Sequence, residues 1–196
     1  MKRSQINRAL TDARSCFEIN GWHLPPNPKW DVCDFGRNRF ENEGLVLLNL
    51  AEEPEYCEKL MYARRNQVTL AHTHRLKKED IICRAGELEI QLWKGKPHDS
   101  KVSSFQLQVN GDLKIFQSGQ VLTLNAGERI TLIPGIYHSF WPRSEECVIG
   151  EVSTANDDLN DNLFAESDIA RFPSIEEDEP PLARLISERD QSQPAD

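Results

Sequence analysis

Three side chains of metal-binding type lie close together in the sequence: His72, His74 and Glu79. Side chains two positions apart on a β-strand point to the same face, so His72 and His74 can reach one ion together. Glu79 has the same reach after a short turn. Two imidazoles and one carboxylate bind first-row divalent metals and leave other coordination positions open. For each histidine alone, a hydrogen-bonded core or surface position is the alternative.

A second stretch supplies a fourth candidate ligand, His138. Pro134-Gly135 predicts a tight turn, and His138 then begins the following strand. Three of the five histidines thus occur in two spaced motifs, which favours a metal site over chance. The sequence therefore predicts a divalent metal ion bound by four residues: His72, His74, Glu79 and His138.

The composition is that of an ordinary globular protein. The chain has 196 residues, of which 38% are hydrophobic and 28% charged, and its net charge is -9. This charge argues against non-specific binding to nucleic acid or anionic lipid. No apolar run is long enough to cross a membrane, and the first residues do not begin a signal peptide, so we expect a cytoplasmic protein with no membrane partner. The five scattered cysteines are expected to be reduced core residues.

A helix and a series of short strands must position the candidate ligands. The helix is predicted over residues 4–20, with Ser4 as its N-cap. Its apolar residues recur on one face: Ile6, Leu10, Ala13 and Phe17. Between about residues 30 and 155, short alternating segments and an Asn110-Gly111 turn predict the antiparallel strands of a barrel or sandwich.

The C-terminal extension, residues 156–196, is predicted to contain short helical or irregular segments. Its acidic run at residues 176–179 is predicted to be a solvated surface segment. No repeat or low-complexity linker divides the sequence, so residues 1–196 are predicted to form a single domain.

The ligand spacing resembles the two motifs of the cupin superfamily. The first motif reads His72-x-His74-x4-Glu79-x6-Gly86, and the second reads Gly127-x6-Pro134-x3-His138, with one extra residue before the proline. The resemblance covers roughly residues 57–153. It implies an all-β cupin double-stranded β-helix, a jelly-roll-like barrel inside which the four ligands meet. Cupins host several enzyme classes and also non-catalytic proteins, so the reaction must be argued from the site.

A narrower resemblance connects residues 72–86, 150–162 and 171–179 with the bacterial D-lyxose isomerases, and it extends from the N-terminal helix to the acidic tail. It implies a metal-dependent aldose–ketose isomerase that interconverts D-lyxose with D-xylulose, and D-mannose with D-fructose. It also implies Mn²⁺ as the ion, with Co²⁺, Zn²⁺ or Fe²⁺ as alternatives. Because small cupins commonly form homodimers, the resemblance implies a homodimer as well. Cys83 and Ala85 depart from the family pattern, which has Asn and Gly there.

An isomerase of this kind must move a proton between C1 and C2 of an open-chain sugar, through a cis-enediol. A metal that chelates O1 and O2 stabilises the enediolate. Glu151, on a strand expected beside that of His138, is the predicted base, and an outward-facing surface glutamate is the alternative. Lys77 is the predicted acid or charge stabiliser and a sugar contact, with a pKa lowered by the dication; an exposed lysine is the alternative.

Three other residues are predicted to contact the sugar: Phe140, Asp158 and Asp161. Phe140 is two residues past His138 and shares its face, whereas the two aspartates belong to a loop at the barrel mouth. The alternatives are core filling for the aromatic ring and a plain polar turn for the aspartates.

Two other functions fit the same ligands. An iron-dependent cupin oxygenase uses a similar facial set of histidine and carboxylate and would consume oxygen. A metal-stabilised, sugar-binding cupin would bind sugar without turnover.

Overall fold

Two antiparallel sheets face each other in this computed structural model, which describes residues 1–98, 103–154, 157, 160–170, 172 and 174–189. The helices are α1 (Arg3–Ile19) and α2 (Ile186–Arg189). The strands are β1 (Lys29–Cys33), β2 (Leu45–Glu52), β3 (Tyr56–Arg64), β4 (Thr69–His74), β5 (Glu79–Ala85), β6 (Glu87–Lys94), β7 (Ser104–Val109), β8 (Asp112–Gln117), β9 (Gln120–Asn125), β10 (Arg129–Leu132), β11 (Ile136–Pro142), β12 (Glu146–Thr154) and β13 (Asn162–Phe164).

The larger sheet has eight strands in the order β1-β2-β3-β12-β5-β10-β7-β8, and the smaller has five in the order β13-β4-β11-β6-β9. Alternating strands place apolar side chains between the sheets, as in β6, where Leu88, Ile90 and Leu92 are fully buried. This arrangement is a jelly-roll of the cupin type, and the predicted all-β fold with an N-terminal helix is confirmed.

Helix α1 covers one part of the outer face of the larger sheet. Its predicted apolar face is buried, and the ring of Phe17 stacks on Trp30 of β1 with the centroids 6.1 Å apart. The prediction of Ser4 as N-cap is wrong, because the helix begins at Arg3 and Ser4 lies in its first turn. The Asp178 carboxylate accepts hydrogen bonds from the Ser4 backbone N–H (2.9 Å) and hydroxyl (2.7 Å), which is the role expected of a cap.

The acidic run at residues 176–179 lies at the surface, as expected. It also binds α1 through hydrogen bonds and an ion pair, and so holds the C-terminal extension against this helix. The guanidinium of Arg3 is fully buried and forms ion pairs with Glu177 and Glu188, both at 2.6 Å. A buried guanidinium requires partners of opposite charge, which the extension supplies. The same extension contributes β13, a strand that the sequence analysis did not predict, next to β4.

Gly86 of the first cupin motif joins β5 to β6 in a conformation that favours glycine, with φ +88°. A Cβ atom there would lie 2.6 Å from the carbonyl oxygen of Glu146 on β12. The motif glycine therefore lets β5 turn closely against β12, and these two strands carry Glu79 and Glu151.

The five cysteines are buried and form no disulfide bond, in agreement with their predicted role as reduced core residues. The thiols of Cys83 and Cys147 form a weak hydrogen bond, with their sulfur atoms 3.9 Å apart. Neither helix of the described chain is long and apolar enough to cross a membrane.

Candidate metal centre and active site

A cavity between the two sheets gathers most of the predicted site residues. Its polar lining consists of His72, His74, His138, Glu79, Lys77, Glu151, Lys59, Thr69 and Asn162. Its less polar lining consists of Cys33, Phe35, Leu45, Leu47, Met61, Ile81, Phe140 and Phe164. The cavity thus combines a cluster of ionisable groups with an apolar wall, as small-molecule sites commonly do.

The three histidines are brought together by the pairing of β4 with β11, in which His138 lies opposite His72. The Nδ1 atom of His72 lies 2.8 Å from the Leu70 carbonyl oxygen, and that of His138 lies 3.3 Å from the Ile136 carbonyl oxygen. A carbonyl oxygen accepts a hydrogen bond only from a protonated nitrogen, so Nδ1 carries the proton in both rings. In the neutral form of such a ring, Nε2 has a lone pair that can bind a metal ion. The three rings each offer one nitrogen within 4.8 Å of the others, a cluster that could hold a metal ion.

The carboxylate of Glu79 points at the same place. Its Oε1 atom lies 3.2 Å from Nε2 of His74 and 3.1 Å from Nε2 of His138. Two ligands at right angles, each about 2.1 Å from one ion, are separated by about 3 Å. The Glu79 Oε1 atom and the Nε2 atoms of His74 and His138 are all buried, and none of the three has a hydrogen-bond partner among the described residues. Buried polar atoms normally have a partner, so this converging set fits a divalent cation.

The charge states of the cluster suit metal binding. Burial, reinforced by His138 and His74, lowers the pKa of His72 well below its ordinary value, so this ring is neutral at pH 7. Burial would raise the pKa of Glu79, but the ammonium of Lys77 overcomes it and holds the pKa well below its usual range. Neutral imidazole and ionised carboxylate are the forms that coordinate metals.

Lys77 is buried in the cavity, and its Nζ lies 2.9 Å from Oε2 of Glu79 and 2.8 Å from Oε1 of Glu151. This position excludes the alternative of a solvent-exposed lysine. In the protein alone, burial lowers the pKa of Lys77, yet Glu151 and Glu79 raise it above the ordinary value. The two flanking carboxylates therefore keep Lys77 as an ammonium group, since their attraction exceeds the penalty of desolvation. The lowering expected beside a bound dication stays a prediction.

Glu151 is 5% exposed and faces the cavity, which excludes an outward-facing position. Its Oε1 accepts hydrogen bonds from Lys77 and from the Ser153 hydroxyl, the latter at 3.2 Å. Burial would raise the pKa of this carboxyl, but Lys59 and Lys77 lower it below the ordinary value. Glu151 is thus an ionised carboxylate in a buried site, the state that a general base requires.

The sequence analysis missed Lys59, which lies opposite Glu151 in the pairing of β3 with β12. Lys59 is 2% exposed, and its Nζ lies 3.9 Å from Oε1 of Glu151. The sequence contained one indication of this role. Lys59 is two residues from Cys57 and two from Met61, so on a strand its side chain points to the same face as these two apolar residues. A lysine on that face needs a buried anion, and here the anion is Glu151.

The predicted sugar contacts have different positions. Phe140 lines the cavity, with its ring stacked parallel to His138 at a centroid distance of 6.4 Å. Asp158 lies outside the described residues. Asp161 does not line this cavity: its carboxylate accepts hydrogen bonds from backbone N–H groups between β4 and β5. Two other lining residues, Asn162 and Phe164, come from β13. Of these two, the sequence analysis missed Phe164.

The chain is similar to known sugar isomerases. The profile of a family described as D-lyxose isomerase matches residues 27–189. A D-lyxose/D-mannose isomerase from Escherichia coli O157:H7 is 36% identical, over 96% of this chain and 98% of that protein. One from Serratia proteamaculans is 35% identical, over 96% and 97%, and a D-lyxose ketol-isomerase from Cohnella laeviribosi is 26% identical, over 91% and 100%.

Solved structures share the fold. An L-ribose isomerase from Cellulomonas parahominis superposes with a TM-score of 0.67 at 19% identity, and one from Acinetobacter sp. DL28, in complex with L-ribose, superposes with 0.66 at 15% identity. Each covers 90% of this chain and 98% of the other. At this level of identity the likeness shows a common jelly-roll architecture.

Proposed function

Because this chain belongs to the D-lyxose isomerase family and is an aldose–ketose isomerase, we propose that it uses a divalent metal ion to interconvert D-lyxose with D-xylulose, and D-mannose with D-fructose. The observation that carries the proposal is the convergence of buried histidine and carboxylate atoms without hydrogen-bond partners among the described residues, beside a second, ionised carboxylate. The relatives named for D-lyxose and D-mannose support this choice of substrates.

The proposed ligands are His72, His74, Glu79 and His138. When bound there, a divalent ion would polarise O1 and O2 of the open-chain sugar and stabilise negative charge that develops on them. Four protein ligands leave two positions on a six-coordinate ion, which matches the two oxygens of the substrate. We propose Mn²⁺ as the ion, since the reaction needs a hard, six-coordinate cation and no change of oxidation state.

Glu151 is the proposed base that takes a proton from one sugar carbon and returns it to the neighbouring one. Its Oε1 accepts hydrogen bonds from Lys77 and Ser153, and the Lys59 ammonium lies 3.9 Å from the same oxygen. A buried, ionised carboxylate beside the proposed metal ligands can face the C1–C2 bond of the sugar.

Lys77 and Phe140 are proposed to hold the sugar. Lys77 stays protonated between two carboxylates, so its role is to stabilise charge and to donate a hydrogen bond to a sugar oxygen. Phe140 offers a flat apolar wall next to His138, against which a sugar face can pack. Asp158 stays a predicted contact.

We also propose that the protein is a cytoplasmic homodimer. The strand β8 is at the edge of the larger sheet and exposes two large apolar side chains, Leu113 and Ile115. Exposed apolar edge strands are commonly covered by another chain. Light scattering coupled to size-exclusion chromatography measures the mass of the particle in solution, and a monomer would contradict this part of the proposal.

A ketose assay on chelator-treated protein tests the proposed reaction. D-lyxose and D-mannose are supplied separately, and Mn²⁺, Co²⁺, Zn²⁺ or Fe²⁺ is added back one at a time. We expect xylulose or fructose to form only when metal is restored, and fastest with Mn²⁺. Full activity in chelator would overturn the role of the metal. Absence of ketose with every ion, together with oxygen uptake under Fe²⁺, would favour an oxygenase instead.

A further inference from the structure

We infer that Asp161 is a positioning residue that holds His74 and the turn carrying Lys77 in one arrangement. Sequence reasoning placed Asp161 at the barrel mouth as a contact for sugar hydroxyls. The structure instead buries its carboxylate beneath the turn between β4 and β5, with 7% of the residue exposed. The inference deepens the proposed function, because it rests on His74 binding a metal ion through Nε2.

The Asp161 carboxylate binds three consecutive backbone N–H groups. Its Oδ1 accepts from Arg75 and Leu76, and its Oδ2 accepts from Lys77, all at 2.9 Å. This turn starts directly after His74 and ends just before Glu79, so one side chain determines the path between two proposed metal ligands. The same bonds set the backbone from which Lys77 reaches Glu151.

His74 differs from the other two histidines at Nδ1. Backbone carbonyls hold Nδ1 of His72 and of His138, whereas Nδ1 of His74 is buried and has no hydrogen-bond partner among the described residues. The carboxylate oxygen that faces it is Oδ2 of Asp161, at 3.9 Å. An ionised carboxylate has about four acceptor sites, and the three backbone bonds leave one of them on Oδ2.

A histidine that binds a metal through Nε2 must carry its proton on Nδ1, and a carboxylate that accepts this proton orients the ring. In the protein without metal, the gap of 3.9 Å is too long for a hydrogen bond. A small rotation of the His74 ring, when it coordinates, closes the gap. Asp161 is thereby assigned to hold the tautomer and orientation of His74 and, through the backbone, the position of Lys77.

The variant Asp161→Asn tests this assignment, because an amide is nearly isosteric yet has one acceptor atom instead of two. In either orientation its NH₂ group opposes N–H donors, either those of Arg75 and Leu76 or those of Lys77 and His74. The control is Asp157→Asn in the same loop, since the Asp157 carboxylate bonds only to Asn160 among the described residues.

Metal affinity is measured by titrating Mn²⁺ into the metal-free full-length proteins in a calorimeter, and thermal unfolding of the same samples is recorded. We expect Asp161→Asn to bind Mn²⁺ about 10- to 100-fold more weakly than the wild type, and Asp157→Asn to match the wild type. Equal Mn²⁺ affinity in Asp161→Asn and the wild type would overturn the inference, even if the unfolding temperature fell, because Asp161 would then only support the turn.

A second measurement does not depend on the folding of the variant. Long-range ¹H–¹⁵N NMR of the zinc-loaded wild type assigns the protonated and the metal-bound nitrogen of each histidine. We expect Nε2 of His74 to be metal-bound and Nδ1 to carry a hydrogen-bonded proton, and coordination through Nδ1 would overturn the inference. A wild type that neither binds metal nor forms ketose would overturn the proposed function and the inference with it. A fully active, metal-binding wild type beside an Asp161→Asn of equal affinity would overturn the inference alone.

Discussion

The five-stranded and the eight-stranded sheet contribute different chemistry to the same cavity. The five-stranded sheet supplies three imidazoles and the Phe140 ring from β4 and β11. The eight-stranded sheet supplies charged side chains: Lys59 from β3, Glu79 from β5 and Glu151 from β12. Of these, only Glu79 is close to both the histidines and Lys77.

This division suggests that metal binding and proton transfer can be damaged separately. The imidazoles are nitrogen donors that suit a cation, whereas the charge of Glu151 is already balanced by ammonium groups of the protein. Substitutions on the five-stranded sheet should therefore remove the metal, and substitutions around Glu151 should leave it bound.

The largest effect is expected for His138→Ala, on the five-stranded sheet. Loss of one of four ligands should weaken metal binding by more than about 100-fold, because even the loss of an outer hydrogen-bond partner costs 10- to 100-fold. Metal content after dialysis and ketose formation measure both consequences. His98→Ala, which changes an exposed histidine, is the control and should match the wild type. Normal metal content in His138→Ala would contradict its assignment as a ligand.

Glu151→Gln, on the eight-stranded sheet, should have the next largest effect. An amide cannot accept the proton, so kcat should fall by about 10²- to 10⁴-fold, the usual contribution of a general base. Metal content should stay at the wild-type value, in contrast to His138→Ala. Exchange of solvent deuterium into the C2 position of the aldose gives an independent measure of proton transfer. Wild-type turnover in Glu151→Gln would remove this residue from the mechanism.

Lys59→Met should have a smaller effect with a distinct pH dependence. Lys59 lowers the pKa of Glu151, so its removal raises that pKa and extends the protonated, inactive form to higher pH. The acidic limb of the kcat profile should move upward, and a shift of one pH unit corresponds to about tenfold lower activity on that limb. Lys59→Arg keeps the positive charge and should retain the wild-type limb. An unchanged profile in Lys59→Met would show that Lys59 does not affect the base.

Ser153→Ala should give the smallest effect. The variant removes one neutral donor at 3.2 Å from Glu151 while both lysines remain. Such a hydrogen bond contributes about 1 kcal/mol, which corresponds to about fivefold in kcat. Steady-state kinetics at saturating metal measure it. A loss as large as that of Glu151→Gln would mean that the hydroxyl, and not only the lysines, controls the carboxylate.

Sequence patterns were informative where the positioning is local. His72 and His74 share a face because strand side chains alternate, and the Pro134-Gly135 turn precedes the strand of His138. The structure brings these residues together with Glu79, and it brings Lys77 and Glu151 into the same cavity. Residue types and short-range spacing therefore suffice to propose a metal site in a barrel or sandwich, and the resemblance to the two cupin motifs implies the particular fold.

Contacts between distant segments were not predictable in this way. Lys59 meets Glu151 only because β3 pairs with β12, and Asp161 reaches the turn after His74 only because the chain returns to place β13 beside β4. The ion pairs of Arg3 with the acidic tail depend on the same kind of return. No local periodicity encodes such partners.

The sequence by itself determined the candidate ligand types, their spacing on strands and the all-β class of this protein, because these follow from side-chain chemistry and the two-residue period of a strand. Only the tertiary structure decided the charge states of the site, since they depend on burial and on neighbours from other strands. Lys77 illustrates the reason: in the protein alone, the two carboxylates packed around it raise its pKa, and one of them comes from β12, a strand far away in the sequence.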